Sequence, residues 1–542
     1  MVRQGRILVV DDDEIWRSEV VETLQREGYI AEAASTKYQA LEKLNTALFH
    51  LAILDICLQD INPANTEGMD ILRELKDRHR NETIKVIMLS SHDTREHMRT
   101  TFRDYVVVDF LSKDCFDRRI LLDEVQKAFT EKMTINLALD IRWKAAYGPE
   151  DAILNLTIDE GQVAAGTTLH TLIAAELEDL LCRLFHDIDS IIVRPVSPGH
   201  SATGVLAVER FYRDTGASGT VIVKFGDTHK IDLEHSNFKK YVEHGLGGAR
   251  STVIHGKDQT SHLGGIIYSF VGVANAQMND FDKFYRHQST TMEDIKGALD
   301  NLFLETCGPW YDNRGHSQPH DLSEDYRRLL NLTPEKLQHG FLALGASIST
   351  FKNDKFQFQS LSSKRIFTNP LALAVDQPQW ISTYVCTTHG DFNSHNILLD
   401  DYKNTWLIDF LRTGQGHILH DISELDSIVR FELLAGTDAT LDERLAMEEA
   451  LCRIDHFSRI GELEMNFSTE NGLLAKAFAT VIHLRKLAGK LLARRTHEDM
   501  EEYSLALFYH ALNTLRFNDL SITQREHALL CASLLADTLH LR

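Results

Sequence analysis

The chain has 542 residues, 43% of them hydrophobic and 25% charged, with a formal net charge of -22. That length suggests about three or four domains, the acidity disfavours a generally basic nucleic-acid-binding surface, and no run reaches the roughly 18 apolar residues of a membrane span. Seven cysteines stand singly with no C-x-x-C pair, and the amino terminus carries no secretory pattern, so a reduced cytoplasmic setting is expected.

Residues 1 to 130 alternate short β-branched runs with amphipathic helical patterns, the sequence form of a doubly wound five-stranded parallel α/β sheet. The predicted strands are Ile7 to Val10, Tyr29 to Ala34, Leu51 to Ile56, Val86 to Ser91 and Val106 to Ser112. Asp11 and Asp12 end the first, Asp55 the third, Ser90 the fourth and Lys113 the fifth. In such sheets the active groups gather outside the carboxyl ends of the strands. Asp11, Asp12 and Asp55 suit Mg²⁺, which prefers a few carboxylate oxygens and retained waters. Asp55 would be the nucleophile for a phosphoryl group, with Lys113 balancing the charge and Ser90 bonding the new oxygens.

These positions, in ILVVDDDE, LAILDICL, VIMLSS and FLSKD, resemble the receiver domain of two-component response regulators. The resemblance implies Asp55 as phosphoacceptor, Asp11 and Asp12 as metal ligands, Ser90, Phe110 and Lys113 as the switch set, and a cognate histidine kinase or phosphotransfer protein as phosphodonor. It leaves room for a dimer through the receiver. Two departures stand out: the loop from Leu58 to Gly68 is long, and Asp114 occupies the position after the lysine where a proline is usual.

Residues 131 to 187 read as a connector. Ile135, Leu137, Leu139, Ile141 and Trp143 alternate with period two, a Tyr147-Gly148-Pro149 turn follows, and Leu154, Leu156 and Ile158 alternate again, which predicts a β-hairpin. A helix with leucines from Leu169 to Leu184 on one side comes next. No Gly/Ser-rich or Pro-rich linker precedes the connector, so a stiff coupling is expected.

Residues 188 to 275 read mainly as strands with one helix, and residues 276 to 542 as mainly helical. The most informative stretch is His389-Gly390-Asp391-Phe392-Asn393-Ser394-His395-Asn396, followed by Ile408-Asp409-Phe410. Kinase folds use such spacing to set a base and two Mg²⁺ ligands around a nucleotide triphosphate: Asp391 as base, Asn396 and Asp409 on the metal. Upstream, Lys224 ends the run Thr220-Val221-Ile222-Val223, Gly199 and Gly204 bracket a loop between two β-runs, and Glu234, with Glu243 as competitor, is the acidic partner expected for Lys224.

In this order the motifs resemble the aminoglycoside phosphotransferase and choline kinase group of the protein-kinase-like fold, and more closely the kinase-like domains called ternary-complex-associated domains. The resemblance implies a two-lobed α+β domain, an N-lobe over 188 to 275 and a helical C-lobe over 276 to 542 carrying an acceptor-site insertion. It further implies ATP as phosphoryl donor, Mg²⁺, and an acceptor that nothing in the chain names. Leu411 replaces the glycine that often follows Asp-Phe. Gly308 to Tyr311 and Phe351 to Phe358 are the expected walls of the acceptor pocket, His389 a structural hydrogen-bonder, and Asp421 a helix cap. The expectation is a phosphorelay protein whose receiver regulates a phosphotransferase; the alternative is a receiver-controlled pseudokinase that binds nucleotide or scaffolds a complex.

Overall fold

The computed structural model describes residues 3–58, 66–77, 83–91, 107–144, 147–154, 156–159, 161–195, 203–212, 216–243, 245, 252–270, 279–352, 354–371, 378–463, 467–492 and 499–540. Two compact units divide the chain, Met1–Leu233 with Val253–Ser269, and Glu234–Thr252 with Phe270–Arg542.

The first unit opens with β1 (Arg6–Val10), α1 (Glu14–Arg26), β2 (Ile30–Ala34), α2 (Lys37–Thr46), β3 (Leu51–Leu54), α3 (Glu67–Asp77), β4 (Lys85–Ser90), β5 (Val107–Ser112) and α4 (Arg118–Lys127). The strands form one sheet in the order β2-β1-β3-β4-β5, every neighbour parallel. Period two explains why both faces are covered. Leu8, Val10, Ala52, Leu54, Val86 and Met88 enter one apolar cluster, while Ile7, Val9, Leu51, Ile53, Ile87 and Leu89 enter another. This is the receiver fold expected from the sequence. The β3 strand ends at Leu54, which leaves Asp55 on the turn beyond it.

A second sheet, in the order β12-β13-β11-β10-β9-β6, comprises β6 (Asp140–Trp143), β9 (Ser190–Pro195), β10 (Gly204–Tyr212), β11 (Gly216–Asp227), β12 (Thr252–Gln259) and β13 (Leu263–Phe270). Here the expected connector hairpin is corrected. Alternation tells which face of β6 is apolar but not which strand it joins, and β6 pairs in parallel with β9, Ile141 opposite Ile191. The segment Pro149–Ala152 forms a short helix, α5, and β7 (Thr157–Ile158) pairs instead with β8 (Gly161–Gln162). Helix α6 (Thr168–Leu184), capped by the Thr167 hydroxyl, buries Leu172, Ile173, Leu177, Leu180, Leu181 and Leu184. It lies close on the sheet at Gly265, where a Cβ would stand only 2.9 Å from a Leu184 methyl and 3.0 Å from one of Leu180. Helix α7 (Thr228–Asn237) follows β11.

The second unit is mixed α/β, compatible with a kinase-like domain. Its helices are α8 (Phe281–Arg286), α9 (Met292–Asp300), α10 (Gly308–Asp312), α11 (Leu322–Leu329), α12 (Pro334–Leu342), α13 (His420–Ile428), α14 (Leu441–Cys452), α15 (Gly472–Leu492), α16 (Glu501–Thr514) and α17 (Ile522–His540). Short sheets join β14 (Asn279–Asp280), β21 (Ile397–Leu399) and β22 (Thr405–Leu407); β15 (Gln318–Asp321) and β19 (Trp380–Thr383); β16 (Ile348–Phe351), β17 (Lys355–Phe358) and β18 (Phe367–Thr368); and β20 (Val385–Thr388) with β23 (Gly414–His417). No helix among the described residues is long and apolar enough to cross a membrane.

Candidate functional site

At the carboxyl ends of β1, β3 and β5 the acidic set meets the lysine. The Lys113 Nζ lies 2.5 Å from Asp55 Oδ2 and 2.8 Å from Asp11 Oδ2. Asp11, Asp55, Ser90 and Lys113 are all buried. Carboxylate oxygens of Asp11, Asp12 and Asp55 come within 4.8 Å of one another, a donor set that fits a hard divalent cation such as Mg²⁺. Burial pushes the Asp11 carboxyl up to about 6, against the pull of Lys113. Burial opposes the Lys113 charge too, but its hydrogen bonds to Asp11 and Asp55 outweigh that and raise its pKa. The Asp11 Oδ1 accepts the Asp13 N–H at 3.0 Å, and Arg17 donates to the carbonyls of Asp11 and Asp12. Phe110 is half-buried against the cluster under β3. Asp114 gives its N–H to the Ser112 hydroxyl at 3.3 Å, a bond that proline could not make.

In the second unit β20 runs into His389, Gly390 and Asp391. Gly390 sits at φ 81°, and a Cβ there would meet the Arg412 carbonyl oxygen at 2.3 Å; only glycine fits. His389 is fully buried and its Nε2 donates to the Ile408 carbonyl at 3.0 Å, the structural role expected of it. Asp421 departs from expectation. Although it opens α13, its carboxylate does not cap that helix; it accepts the N–H groups of His389 (2.9 Å) and Gly390 (3.2 Å) and the Tyr311 hydroxyl (3.1 Å). The loop is thus fixed from below.

The β21–β22 hairpin brings the rest of the motif together. Ile397 pairs with Leu407, so the residues flanking that pair, Asn396 and Ile408, adjoin, and Ile408 N–H donates to the Asn396 carbonyl at 3.1 Å. Asn396 Nδ2 in turn donates to the Asp391 carbonyl at 3.0 Å. Asp409 is 6% exposed and sits at φ 70°, ψ 69°, a left-handed conformation that a non-glycine residue adopts where surrounding structure imposes it. Glu234, 1% exposed, accepts the Phe410 N–H at 3.2 Å. Asn237 donates to the Leu411 carbonyl at 2.7 Å and the Phe238 ring meets Phe410 edge-on. Glu243, the competitor, is exposed.

Lys224, on β11 of the first unit, is 2% exposed, so it is no solvated strand lysine. Gly204 opens β10, where its missing Cβ makes room for the Phe225 ring; Gly199 lies outside the described residues. Of the expected acceptor walls, Trp310 and Tyr311 are core residues and Phe356 and Phe358 are buried with Phe341 and Phe367 in an aromatic cluster, while Phe351 is exposed. Aromatic spacing marks a core as readily as a pocket.

Three groups were not singled out in the sequence. Arg412 brings its Nε to 3.9 Å from the Asp391 carboxylate. Glu424, one turn along α13 from Asp421, accepts the Phe392 N–H at 2.8 Å, and burial, reinforced by the charge of Asp391, pushes its carboxyl well up. Asp280 lies 3.3 Å from His395, and its hydrogen bond raises that imidazole's pKa against burial. The i, i+3 spacing of Asp421 and Glu424 was the only readable sign. His420, Asp421 and Glu424 also bring ligand atoms within 4.8 Å, but both Asp421 oxygens are committed to the loop and to Tyr311.

The first unit's acid-and-lysine site and parallel sheet define a receiver. Residues 7–126 match the response regulator receiver domain, a match that supports phosphorelay signalling and implies a phosphodonor such as a histidine kinase for that domain. Residues 189–337 and 358–516, more than half of the chain, match ternary complex associated domain 9. The chain belongs to that family. It is 26% identical over 135 residues to the alginate biosynthesis transcriptional regulatory protein AlgB of Pseudomonas aeruginosa, covering 25% of this chain and 28% of that protein; the chain thus spans little more than a quarter of that relative's length. Among solved structures it is similar to the receiver domain of NtrX from Brucella abortus, 31% identical over 23% of this chain and 98% of that one, with a TM-score of 0.21. A CheY-like receiver protein from Methanospirillum hungatei JF-1 is 27% identical over 24% of this chain and 96% of that one, TM-score 0.22.

Proposed function

We propose that Asp55 accepts a phosphoryl group and that the receiver thereby regulates an ATP- and Mg²⁺-dependent phosphotransferase centred on Asp391. The observation that carries the second half is the loop constellation itself: Asn396 bonded to the Asp391 backbone, Asp409 adjoining it in a left-handed conformation, and Asp421 holding the loop from beneath. Asp391, with its side chain 30% exposed, would receive the proton of an acceptor hydroxyl. Asn396 and Asp409 would hold Mg²⁺ here, and Asp11, Asp12 and Asp55 in the receiver; bound there, the cation neutralises phosphate charge. Lys224 is the cation that the resemblance assigns to the phosphates of ATP. In the receiver, Lys113 balances the charge of roughly -2 that phosphorylation brings, and Ser90 bonds its oxygens.

Asp391→Ala should abolish ATP turnover while acetyl phosphate still labels Asp55. Turnover at the wild-type rate in that variant would remove Asp391 as base. A second reading, a nucleotide-binding scaffold without catalysis, draws on the Arg412 guanidinium beside Asp391, whose charge would weaken it as a base. Mg²⁺-dependent ATP binding with no consumption across a panel of hydroxyl and amine acceptors would favour that reading.

A further inference from the structure

Three strands of the receiver carry groups for phosphoryl chemistry at their carboxyl ends: Asp11 after β1, Asp55 after β3 and Ser90 at the end of β4. The opposite ends of the same three strands converge on one side chain and one helix. His50, just before β3, donates its backbone N–H to the Arg6 carbonyl of β1 at 2.9 Å and accepts the Lys85 N–H of β4 at 2.9 Å. Its Nδ1 accepts the Arg6 N–H at 2.9 Å. That fixes the proton on Nε2, which meets Asp179 Oδ1 of α6 at 2.7 Å. Arg183, one turn further along α6, donates to the other Asp179 oxygen at 2.7 Å and to the Thr83 carbonyl ahead of β4 at 3.3 Å.

The same helix holds the second sheet of its unit by a third buried charge. Glu176 accepts the Thr260 hydroxyl at 2.6 Å, the His262 N–H at 2.9 Å and His262 Nδ1 at 2.7 Å. Thr260 and His262 make the turn between β12 and β13, and β13 pairs with β11, Ile266 opposite Lys224. Glu176, Asp179 and Arg183 follow one another at three and four residues, so they share one helix face. All three are at most 5% exposed, as are His50, Thr83 and Thr260. Charge-assisted bonds of this kind are strong, and breaking one leaves an uncompensated charge away from water.

We infer that α6 reads the receiver from its base: phosphorylation at Asp55 is transmitted down β1, β3 and β4 to His50 and Thr83, through the Asp179–Arg183 pair into α6, and from Glu176 to the β12–β13 turn beside the Lys224 strand. This route rests on the proposed regulation of the Asp391 site, but it has a signature independent of catalysis. The switch groups sit at one end of the receiver sheet and the output leaves from the other, with strands of four to six residues as the rods between.

The test uses the full chain with Mg²⁺ and beryllofluoride as the phosphoryl mimic, and follows amide hydrogen exchange over residues 258–268 together with ATP turnover. In the wild type, beryllofluoride should change exchange in that segment at least threefold. Asp179→Asn should remove most of the change while acetyl phosphate still labels Asp55. Thr260→Val, which deletes a single hydroxyl bond at the far end, should halve it and serves if Asp179→Asn does not fold. No exchange response in the wild type, or a wild-type response in the folded variants, would overturn the route. A wild-type exchange response without any ATP turnover would sink the phosphotransferase reading and leave the route standing.

Discussion

Gly390 and Asp421 together decide whether the Asp391 loop can exist in this shape. Any side chain at Gly390 would strike the Arg412 carbonyl, and its left-handed φ adds strain, so Gly390→Ala should cost about 1–3 kcal/mol and remove ATP turnover, checked by thermal melting and nucleotide assay. Asp421→Asn swaps an oxygen that accepts a backbone N–H for an amide that cannot. We expect a loss of about 1–3 kcal/mol and a fall in turnover, whereas Tyr311→Phe, which removes one of the carboxylate's donors, should cost about 1 kcal/mol. At this scale the sequence was legible wherever chemistry fixes spacing: Asp11, Asp55 and Lys113 converge as their strand-end positions imply. It was not legible for Glu424, Arg412 or Asp280, whose relation to the loop arises from the approach of separate elements and leaves no pattern along the chain.

Helix α6 shows what periodicity does and does not carry. Its leucine spacing gave both its type and its limits, and its apolar side faces the second sheet. Its polar face, Glu176, Asp179 and Arg183, is buried, although charged residues at helical spacing usually face solvent. Leu180 is fully buried in the same core as Val193, Val208 and Val223, so Leu180→Ala should lose about 2–5 kcal/mol in a denaturant titration of the whole chain. The β6 strand teaches the complementary point. Only the last part of its alternation, Asp140–Trp143, is strand, residues 137–138 forming a turn, and a partner 50 residues downstream, Asp140 against Ser190, is chosen by tertiary packing rather than by the nearest turn.

For the molecule as a whole, the second unit should be sensitive to acid. Burial lowers His420 and His527 to about 4 and also pushes His510 well below its usual range. Between the unfolded value near 6.5 and those folded values the unfolded chain binds the extra protons, so the stability present at neutral pH is lost as pH falls from about 6.5 towards 4. Melting curves at pH 7, 6 and 5 should show a progressive drop, and His527→Gln should flatten part of it. A pH-independent melting temperature over that range would count against these buried neutral imidazoles.

The parallel pairing of β6 with β9 has a consequence for how such a chain can be cut and recombined. The family match begins at residue 189, and an expression fragment starting there would lack both β6 and α6. Its β9 would become a bare edge, with Ile191 and Val193 losing the helix that covers them, the situation that promotes intermolecular strand pairing. Fragments beginning near residue 131 should stay monodisperse in size-exclusion chromatography where those beginning at 189 aggregate. Exchanging the receiver for another would then succeed only when the connector travels with the downstream portion and the incoming receiver offers α6 a histidine at the base of its third strand.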